Sequence, residues 1–585
     1  MTVAPTPDPP SFTLDPKVAK DFGVYASGFW AGPTRTRAWL LTLGLAASLV
    51  ASTYVTVQMN HWNRWFFDAL EKKDVATVQQ AMLVFLLIIA AMAAIGVAIV
   101  LTRETLQVRW RQWLVEHLIA RWLDRRRFYH MNTDGTEPPN PEYRISDDTR
   151  WATEVLVDLG IGLLSALVGG IAFISILGSV GGAWTFGGVT IPAFMVVFAL
   201  AYGIVMSVLM AWIGKPLVGR VGAKNEAEGY FRFAMMRLRD NAESVALMNG
   251  ASAERASLGR FYDSVVARWL AVVRSHGHVT WITNSSGPMI PIVPLLAAAP
   301  KYLAGELTLG QVTQLAAAFV QVQIAISWVV DNYNRIAEWY ASARRVMDIV
   351  YACDGVDRGL EAATGGLTHE PAAGPVLALG SVAIAGRGGE RLVRAVDLSI
   401  GPGERAFIAG ESSVGKSMLV RAIAGLWRQG HGSIRRPPDA RVLIAPQKAY
   451  LPLGTLADAL AYPEPTRTEP TAMRAALGDV GLAHLAPRLG EVARWDQLLS
   501  AGERQRLTVA RILLHEPDVI VLDDALSALE DATQRELLAT MARALPQAIV
   551  LSLGQRHAAD GFHQRHLVLE RTADGARLNP ATAKV

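Results

Sequence analysis

The sequence predicts a chain of two unlike parts: an α-helical membrane region of six spans with long polar extensions, followed by a soluble α/β domain of the P-loop type. Three observations carry this. Six apolar runs, each long enough to cross roughly 30 Å of hydrocarbon, fall within the first 330 residues. Composition then shifts abruptly to Ala, Gly, Thr and Pro over residues 354–374. Beyond it, Gly410-Glu411-Ser412-Ser413-Val414-Gly415-Lys416-Ser417 is a complete phosphate-binding loop. With 585 residues, 51% of them hydrophobic, and a mean hydropathy of +0.24, the chain is too apolar for an ordinary soluble multidomain protein.

Residues 1–36 are expected to form a tail and a short elbow. The opening ten are proline-rich and lack the charged-then-apolar pattern of a cleaved signal, so the first span itself is expected to direct insertion. The apolar runs follow at residues 39–57, 81–101, 159–180, 190–213, 279–300 and 311–330, within a membrane domain of 37–350. A buried core helix is the alternative for any one of them, but the first, second and fourth carry almost no charge over a membrane length. Residues 103–150 and 215–274 are long and arginine-rich, whereas the turns near Gly181 and Lys301 are short and nearly uncharged. Positive segments stay inside, so both termini are expected in the cytoplasm. Residues 106–114 and 232–239 alternate apolar and basic residues at helical spacing, which predicts helices running well past the bilayer.

The fifth span is unusual. Thr283-Asn284-Ser285-Ser286-Gly287-Pro288 is polar, and Pro291 and Pro294 follow. Each proline removes a helical donor, which lipid tolerates only beside satisfying neighbours or a wet cavity. The span therefore either lines a translocation path or is a kink satisfied by its neighbours. Gln311, Gln314, Gln321 and Gln323 of the sixth span fit a wet cavity or interhelical hydrogen bonds.

One cysteine, Cys353, excludes a disulfide framework and a cysteine-cluster metal site. The net charge of +4 sits largely beside the spans, where anionic lipid headgroups account for it, so nucleic acid is not expected as a partner. After a linker at 351–374, residues 375–585 form the soluble domain.

In that domain Arg405-Ala406-Phe407-Ile408-Ala409 reads as a buried strand, and Met418 to Ile423 as the helix after the loop. Two glycines let backbone N–H groups of Gly410, Glu411, Ser412, Ser413, Val414 and Gly415 wrap an anion. Lys416 adds charge, and the Ser417 hydroxyl suits Mg²⁺. The expected ligands are ATP and Mg²⁺. Further on, Val519-Ile520-Val521-Leu522-Asp523 is a buried strand ending in a carboxylate for the same metal.

Ala445-Pro446-Gln447-Lys448-Ala449-Tyr450-Leu451-Pro452, Leu499-Ser500-Ala501-Gly502-Glu503-Arg504-Gln505-Arg506-Leu507 and Ser527-Ala528-Leu529-Glu530 resemble, in this order, the Q-loop, signature and D-loop of ATP-binding cassette (ABC) proteins. The resemblance implies that Gln447 contacts Mg²⁺ and the attacking water. It also implies that Ser500, Gly502, Glu503 and nearby amides face the γ-phosphate of ATP held by a partner subunit. One cassette and six spans make half of a complete transporter, so a homodimer with two composite sites is expected. A soluble ABC ATPase is excluded by the spans. Asn63-Arg64-Trp65-Phe66-Phe67-Asp68-Ala69-Leu70-Glu71, Asn140-Pro141-Glu142-Tyr143-Arg144-Ile145, Arg239-Asp240-Asn241-Ala242-Glu243-Ser244-Val245-Ala246 and Leu451-Pro452-Leu453-Gly454-Thr455-Leu456 look like the bacterial SbmA/BacA-like ABC transporters, relatives of the peroxisomal fatty-acyl transporters. That likeness implies an exporter-type (type IV) fold in the bacterial inner membrane, with uptake of peptides or other bulky hydrophilic solutes. An acyl-type lipid substrate is the alternative.

The chain also departs from the family. Asp524 stands where a catalytic glutamate is usual, one methylene shorter, and Gln555 stands where the switch histidine is usual, with His557 two residues on. Near Ala385, where an aromatic ring often stacks on adenine, none occurs, so nucleotide preference is expected to be lax. Two readings follow: slow ATP-driven transport with Asp524, Gln447 and Gln555 as catalytic residues, or nucleotide-gated transport down a gradient with hydrolysis largely lost.

Overall fold

The computed structural model describes residues 15–186, 189–362, 366–464, 469–555 and 561–581; the proline-rich opening and His557 lie outside the described residues. The chain divides into two compact units, one ending at Val356 and the other starting at Asp357.

The first unit is helical. Short helices α1 (Pro16–Ala26) and α2 (Gly28–Ala31) precede α3 (Arg35–Glu71) and α4 (Val75–Leu123). Helices α5 (Arg127–Asp134) and α6 (Pro141–Tyr143) lead through a π turn at Arg144–Asp148 into α7 (Thr149–Gly181). A hairpin of β1 (Trp184–Phe186) and β2 (Val189–Ile191) joins this to α8 (Phe194–Asp240), followed by α9 (Ala242–Leu247), α10 (Ala251–Ser286), α11 (Met289–Leu303), α12 (Leu309–Asp331) and α13 (Tyr333–Ala362). At 49 residues, α4 is about 74 Å long, more than twice the hydrocarbon thickness. Among the described residues, five helices are long and apolar enough to cross a membrane. The fifth expected span differs: it is two pieces, the end of α10 and the fifteen-residue α11, broken at Gly287-Pro288 where the proline supplies no N–H. The expected linker at 351–374 is likewise helical as far as Ala362, as the end of α13. Cys353 is buried.

Apolar residues of α7, α8 and α12 form the core of this unit, among them Phe173, Leu177, Met195, Leu315 and Phe319. Outward-facing Leu87 and Ile171 are about 70% exposed, as a lipid-facing surface requires. The start of α12 explains the Asn63–Glu71 motif. Thr308 and Gln311 form a capping box. Asp68 accepts from the Gly310 N–H (3.0 Å) and Glu71 from the Leu309 N–H (3.0 Å). Carboxylates at a helix N-terminus satisfy its orphan donors and oppose its dipole. Gly310 has to be glycine, since a Cβ there would lie 2.2 Å from the Arg64 carbonyl oxygen. Gln314 bonds His61 (3.2 Å) and Gln323 donates to the Ala199 carbonyl (2.8 Å), so these two glutamines join helices.

The second unit holds two sheets. Strands β3 (Thr368–Pro371), β4 (Leu377–Ala385) and β5 (Arg391–Ile400) pair with β7 (Gly430–Arg436) in the order β3-β7-β4-β5. Around this β7 the chain runs β6 (Arg405–Gly410), α14 (Lys416–Ile423), then β8 (Val442–Ala445), β9 (Gly454–Thr455), α15 (Leu456–Ala461), α16 (Pro470–Asp479), β10 (Val492–Ala493), α17 (Trp495–Leu498) and α18 (Ala501–His515). It closes with β11 (Val519–Asp523), α19 (Asp531–Ala544), β12 (Ile549–Gly554), β13 (Arg565–Glu570) and β14 (Arg577–Pro580). The larger sheet has the order β14-β13-β6-β12-β11-β8, parallel except for β14. Its central strands are buried on both faces, which is why they read as unbroken apolar runs.

Ion pairs tie α7 and the turn before it to α13. Asp158 meets Arg335 (2.8 Å), Arg144 meets Asp348 (2.6 Å), and fully buried Asp148 takes a fork from Arg345 at 2.8 and 2.6 Å. The Arg345 side chain is itself 41% exposed. Arg345→Met leaves a buried carboxylate uncompensated and should cost about 3–5 kcal/mol of stability, read as a lower unfolding midpoint in detergent. Asp148→Asn leaves a guanidinium that water can reach and should cost less; equal losses would contradict this asymmetry.

Candidate functional site

Four adjacent parallel strands, β6, β12, β11 and β8 in sheet order, end on one side, and each delivers an expected site residue. The phosphate loop leaves β6, Gln555 follows β12, Asp523 closes β11, and Gln447 lies two residues past β8. The register sets Ala409 beside Gly554, Asp523 beside Leu553 and Leu522 beside Ala445. The carboxyl ends of such strands are where open α/β sheets bind ligands. A cavity of about 680 Å³ lies there, lined by Ser412 to Ser417, Gln447, Asp524 and Gln555.

The loop is shaped for an anion. Gly415 has φ 113°, and a Cβ on it would lie 2.8 Å from Val393 Cγ2, so only glycine fits. Ser413 also has positive φ, at 63°. Helix α14 starts at Lys416 with no side-chain cap, leaving its first N–H groups to a ligand. Lys416 is 6% exposed, and its ammonium donates to the carbonyls of Gly410 and Glu411. Its recorded hydrogen bonds go to neutral carbonyls, so a polyphosphate would give this buried cation charged acceptors.

The donor set also fits a hard divalent cation. The Ser417 hydroxyl hydrogen-bonds Asp523, whose carboxyl is pushed above the ordinary range by burial and then by neighbouring Asp524, against the pull of Ser417, Lys416 and Arg421. Among the described residues no cluster of three or more His, Cys, Asp or Glu could hold a metal alone. Magnesium is held by one or two protein oxygens together with substrate phosphates, which is what Ser417 and Asp523 offer.

Asp524 has φ 48°, and its N–H donates to the Leu553 carbonyl (2.9 Å). Asp and Asn are among the few side chains that tolerate this region. A Cβ on Gly554 would lie 3.3 Å from Asp524 Oδ1, so that glycine leaves room for the carboxylate. Gln447, Asp524 and Gln555 also border a second cavity of about 420 Å³, which reaches Ser552 and buried His563.

Ser500, Gly502 and Glu503 are not among the residues lining the phosphate cavity. Ser500 caps α18 in a capping box with Glu503: its Oγ accepts from the Glu503 N–H (3.2 Å), and its own N–H donates to Glu503 Oε2 (2.9 Å). Those bonds from Ser500 hold the Glu503 carboxyl below its usual range. A carboxylate has no proton to give a phosphate oxygen, and both the Ser500 N–H and its hydroxyl donate to Glu503 Oε2. Gln505 of α18 accepts from the Ala528 N–H (2.8 Å), fixing the D-loop segment. Buried Arg511 donates to the carbonyls of Ala459 (2.6 Å) and Tyr450 (2.8 Å), tying α18 to the segment after Gln447; burial pushes its guanidinium down to about 10.

The structure adds residues that sequence reading missed. Arg391, Arg421 and Arg571 line the cavity, and Arg571 donates to the Ser413 carbonyl (2.9 Å). Arg571 is 158 residues from Ser413 and arrives because β13 pairs with β6; no local pattern marks it. None of the described residues lining the cavity is aromatic. Ala385 instead accepts from the indole of Trp427 (2.9 Å).

Comparison with known families matches residues 30–303 to the ABC transporter transmembrane region 2 and residues 393–527 to the ABC transporter domain. An uncharacterized ABC transporter ATP-binding protein of Synechocystis is 31% identical over 92% of this chain and 81% of its own length. The chloroplastic ABC transporter D family member 2 of Arabidopsis thaliana is 25% identical over 95% of this chain and 86% of that protein. The inner membrane ABC transporter ATP-binding protein YddA of Escherichia coli is 25% identical over 89% and 92%.

The raised Asp523 carboxyl makes a prediction with a definite sign. A carboxyl whose folded value lies above its unfolded one holds extra protons in the folded state, so it favours folding in acid and that contribution is lost as pH rises through the raised value. Near neutral pH, Asp523→Asn should therefore raise the unfolding midpoint of the nucleotide-free protein by about 1–3 °C. It should also remove most of the further stabilisation that Mg-ATP gives the native chain. A lower midpoint without nucleotide would contradict the reading of Asp523 as a strained, metal-awaiting carboxylate.

Proposed function

This chain belongs to the ABC transporter family, and from that premise we propose a homodimeric half-transporter with two composite ATP sites and slow hydrolysis. The observation that carries the ATP-driven reading is the meeting of the phosphate loop, Gln447, Asp524 and Gln555 around one cavity at four strand ends. The dimer is supported by the absence of Ser500, Gly502 and Glu503 from that cavity, so that the signature of a second copy would complete it.

In this reading Lys416 and the loop amides bind the β- and γ-phosphates, while Ser417 and Asp523 hold Mg²⁺ with Gln447 beside them. The ion, when bound, neutralises phosphate charge. Asp524 orients the attacking water and draws its proton; Gln555 donates a hydrogen bond toward the γ-phosphate but brings no charge. Misplacement of a catalytic group by about 1 Å can cost about a hundredfold in rate, which is the basis for slow turnover with the shorter Asp524. Closure of the dimer and its reopening after hydrolysis would re-expose a membrane cavity on the other side.

The likeness to SbmA/BacA-like transporters supports uptake of peptides or other bulky hydrophilic solutes across a bacterial inner membrane. The arginine-rich segments at 103–150 and 215–274 support cytoplasmic termini. The test is Mg-ATP hydrolysis by purified protein in lipid. Native activity should stand clearly above that of Lys416→Ala, and Asp524→Ala should fall to that background. Asp524→Glu, which restores reach, should raise the rate about tenfold, worth about 1.4 kcal/mol of barrier. A native rate equal to the Lys416→Ala background with ATP still bound would replace this cycle by nucleotide-gated transport.

A further inference from the structure

The cavity at the strand ends continues beyond the phosphate loop. Its wall is extended by Arg391 and Leu392 of β5 and by Thr572, Ala573, Gly575 and Ala576 of the turn between β13 and β14. These two segments are bonded to each other: the Leu392 carbonyl accepts from the Ala576 N–H (2.9 Å), and the Ala576 carbonyl from the Arg394 N–H (2.8 Å). The start of β5 also lies against the loop, since a Cβ on Gly415 would stand 3.8 Å from the Leu392 carbonyl oxygen. A nucleoside triphosphate with its phosphates in the loop therefore carries its ribose and base along a wall that begins with Leu392 and Arg391.

A base has two flat faces and binds well by stacking on a flat partner. None of the described residues lining the cavity is aromatic, but three are arginines, whose guanidinium is planar and stacks on rings. Two of the three are engaged near the phosphates: Arg571 donates to the Ser413 carbonyl, and Arg421 pulls on the Asp523 carboxyl. Arg391 differs, because among the described residues its side chain makes no hydrogen bond or ion pair. Two features aim it. The pairing of β4 with β5 shifts register here, Ile384 facing Val393 and Ala385 facing Arg391, which leaves Leu392 as an extra residue. Bulges of this kind re-aim side chains beside sites. Gly575, with φ 103°, then gives the arginine its room: a Cβ there would lie 3.3 Å from Arg391 Cγ and 2.8 Å from its carbonyl oxygen.

We infer that Arg391 is the residue on which the nucleotide base stacks, its guanidinium lying flat against the ring. The site then recognises a base by its face and not by its edges. Every base has such a face, so adenine and guanine nucleotides are both accepted. The inference rests on the ATP-site reading and deepens it by naming the group that holds the base.

The experiment is equilibrium binding of three probes, each with Mg²⁺, to the full chain in nanodiscs: the β,γ-imido analogues of ATP and GTP, and inorganic tripolyphosphate, which has no base. Arg391→Ala should weaken the ATP analogue about tenfold and leave tripolyphosphate within about twofold of native. Arg391→Trp, flat but uncharged, should stay within about threefold of native for the ATP analogue, whereas Arg391→Lys, charged but not flat, should fall with Arg391→Ala. Native protein should bind the GTP analogue within about tenfold of the ATP analogue. An unchanged ATP-analogue affinity in Arg391→Ala overturns the proposal by placing the base elsewhere. Equal loss of nucleotide and tripolyphosphate, or rescue by lysine instead of tryptophan, overturns it by making Arg391 a phosphate contact. A preference for the ATP analogue of more than about tenfold overturns it too, since the base edges are then read. Lys416→Ala is measured alongside. Binding that Lys416→Ala abolishes but Arg391→Ala leaves intact removes only the base contact; a native chain that binds neither nucleotide removes the ATP site itself.

Discussion

Parallel pairing of β6, β12, β11 and β8 is the constraint on which the nucleotide site rests. Parallel strands run in one direction, so their carboxyl ends come level along one edge, and residues just past those ends meet although they are distant in sequence. The phosphate loop, Gln555, Asp523 and Gln447 lie up to about 145 positions apart in the chain. Register makes the meeting specific: with Leu553 opposite Asp523 and Gly554 opposite Ala409, the glycine beside Asp524 is the one that leaves its carboxylate room.

The membrane unit obeys a different constraint. Hydrocarbon offers no hydrogen bonds, so each polar group must find its partner within the protein. The start of α12 shows the solution, with a capping box of its own and two carboxylates of α3 on its first amides. Lys301 does the converse at the end of α7, donating to the carbonyls of Gly181 (2.8 Å) and Ala183 (2.7 Å).

Stability and activity pull against each other at the strand ends. Burial and Asp524 oppose ionisation of Asp523, which Lys416 offsets only in part, its own hydrogen bonds going to backbone carbonyls. The nucleotide-free site thus holds both charges in incomplete surroundings that magnesium and phosphate together would complete. Asp524 adds a positive φ, a conformation that a short carboxylate accepts more readily than a longer side chain. The shorter side chain at this position is therefore matched to its backbone even though it reaches less far.

The sequence by itself determined the elements whose signals are local. Apolar length marks the spans, because a helix must cross a fixed thickness; the glycine spacing marks the phosphate loop, because only certain residues allow that backbone; and the boundary region is marked by composition. Local order also exposed the two substitutions at Asp524 and Gln555. What only the tertiary structure decided depends on pairing across long separations. Arg571 reaches the loop because β13 lies beside β6, the fifth span is divided into two helices at Gly287-Pro288, and Glu503 turns back to accept from the Ser500 N–H.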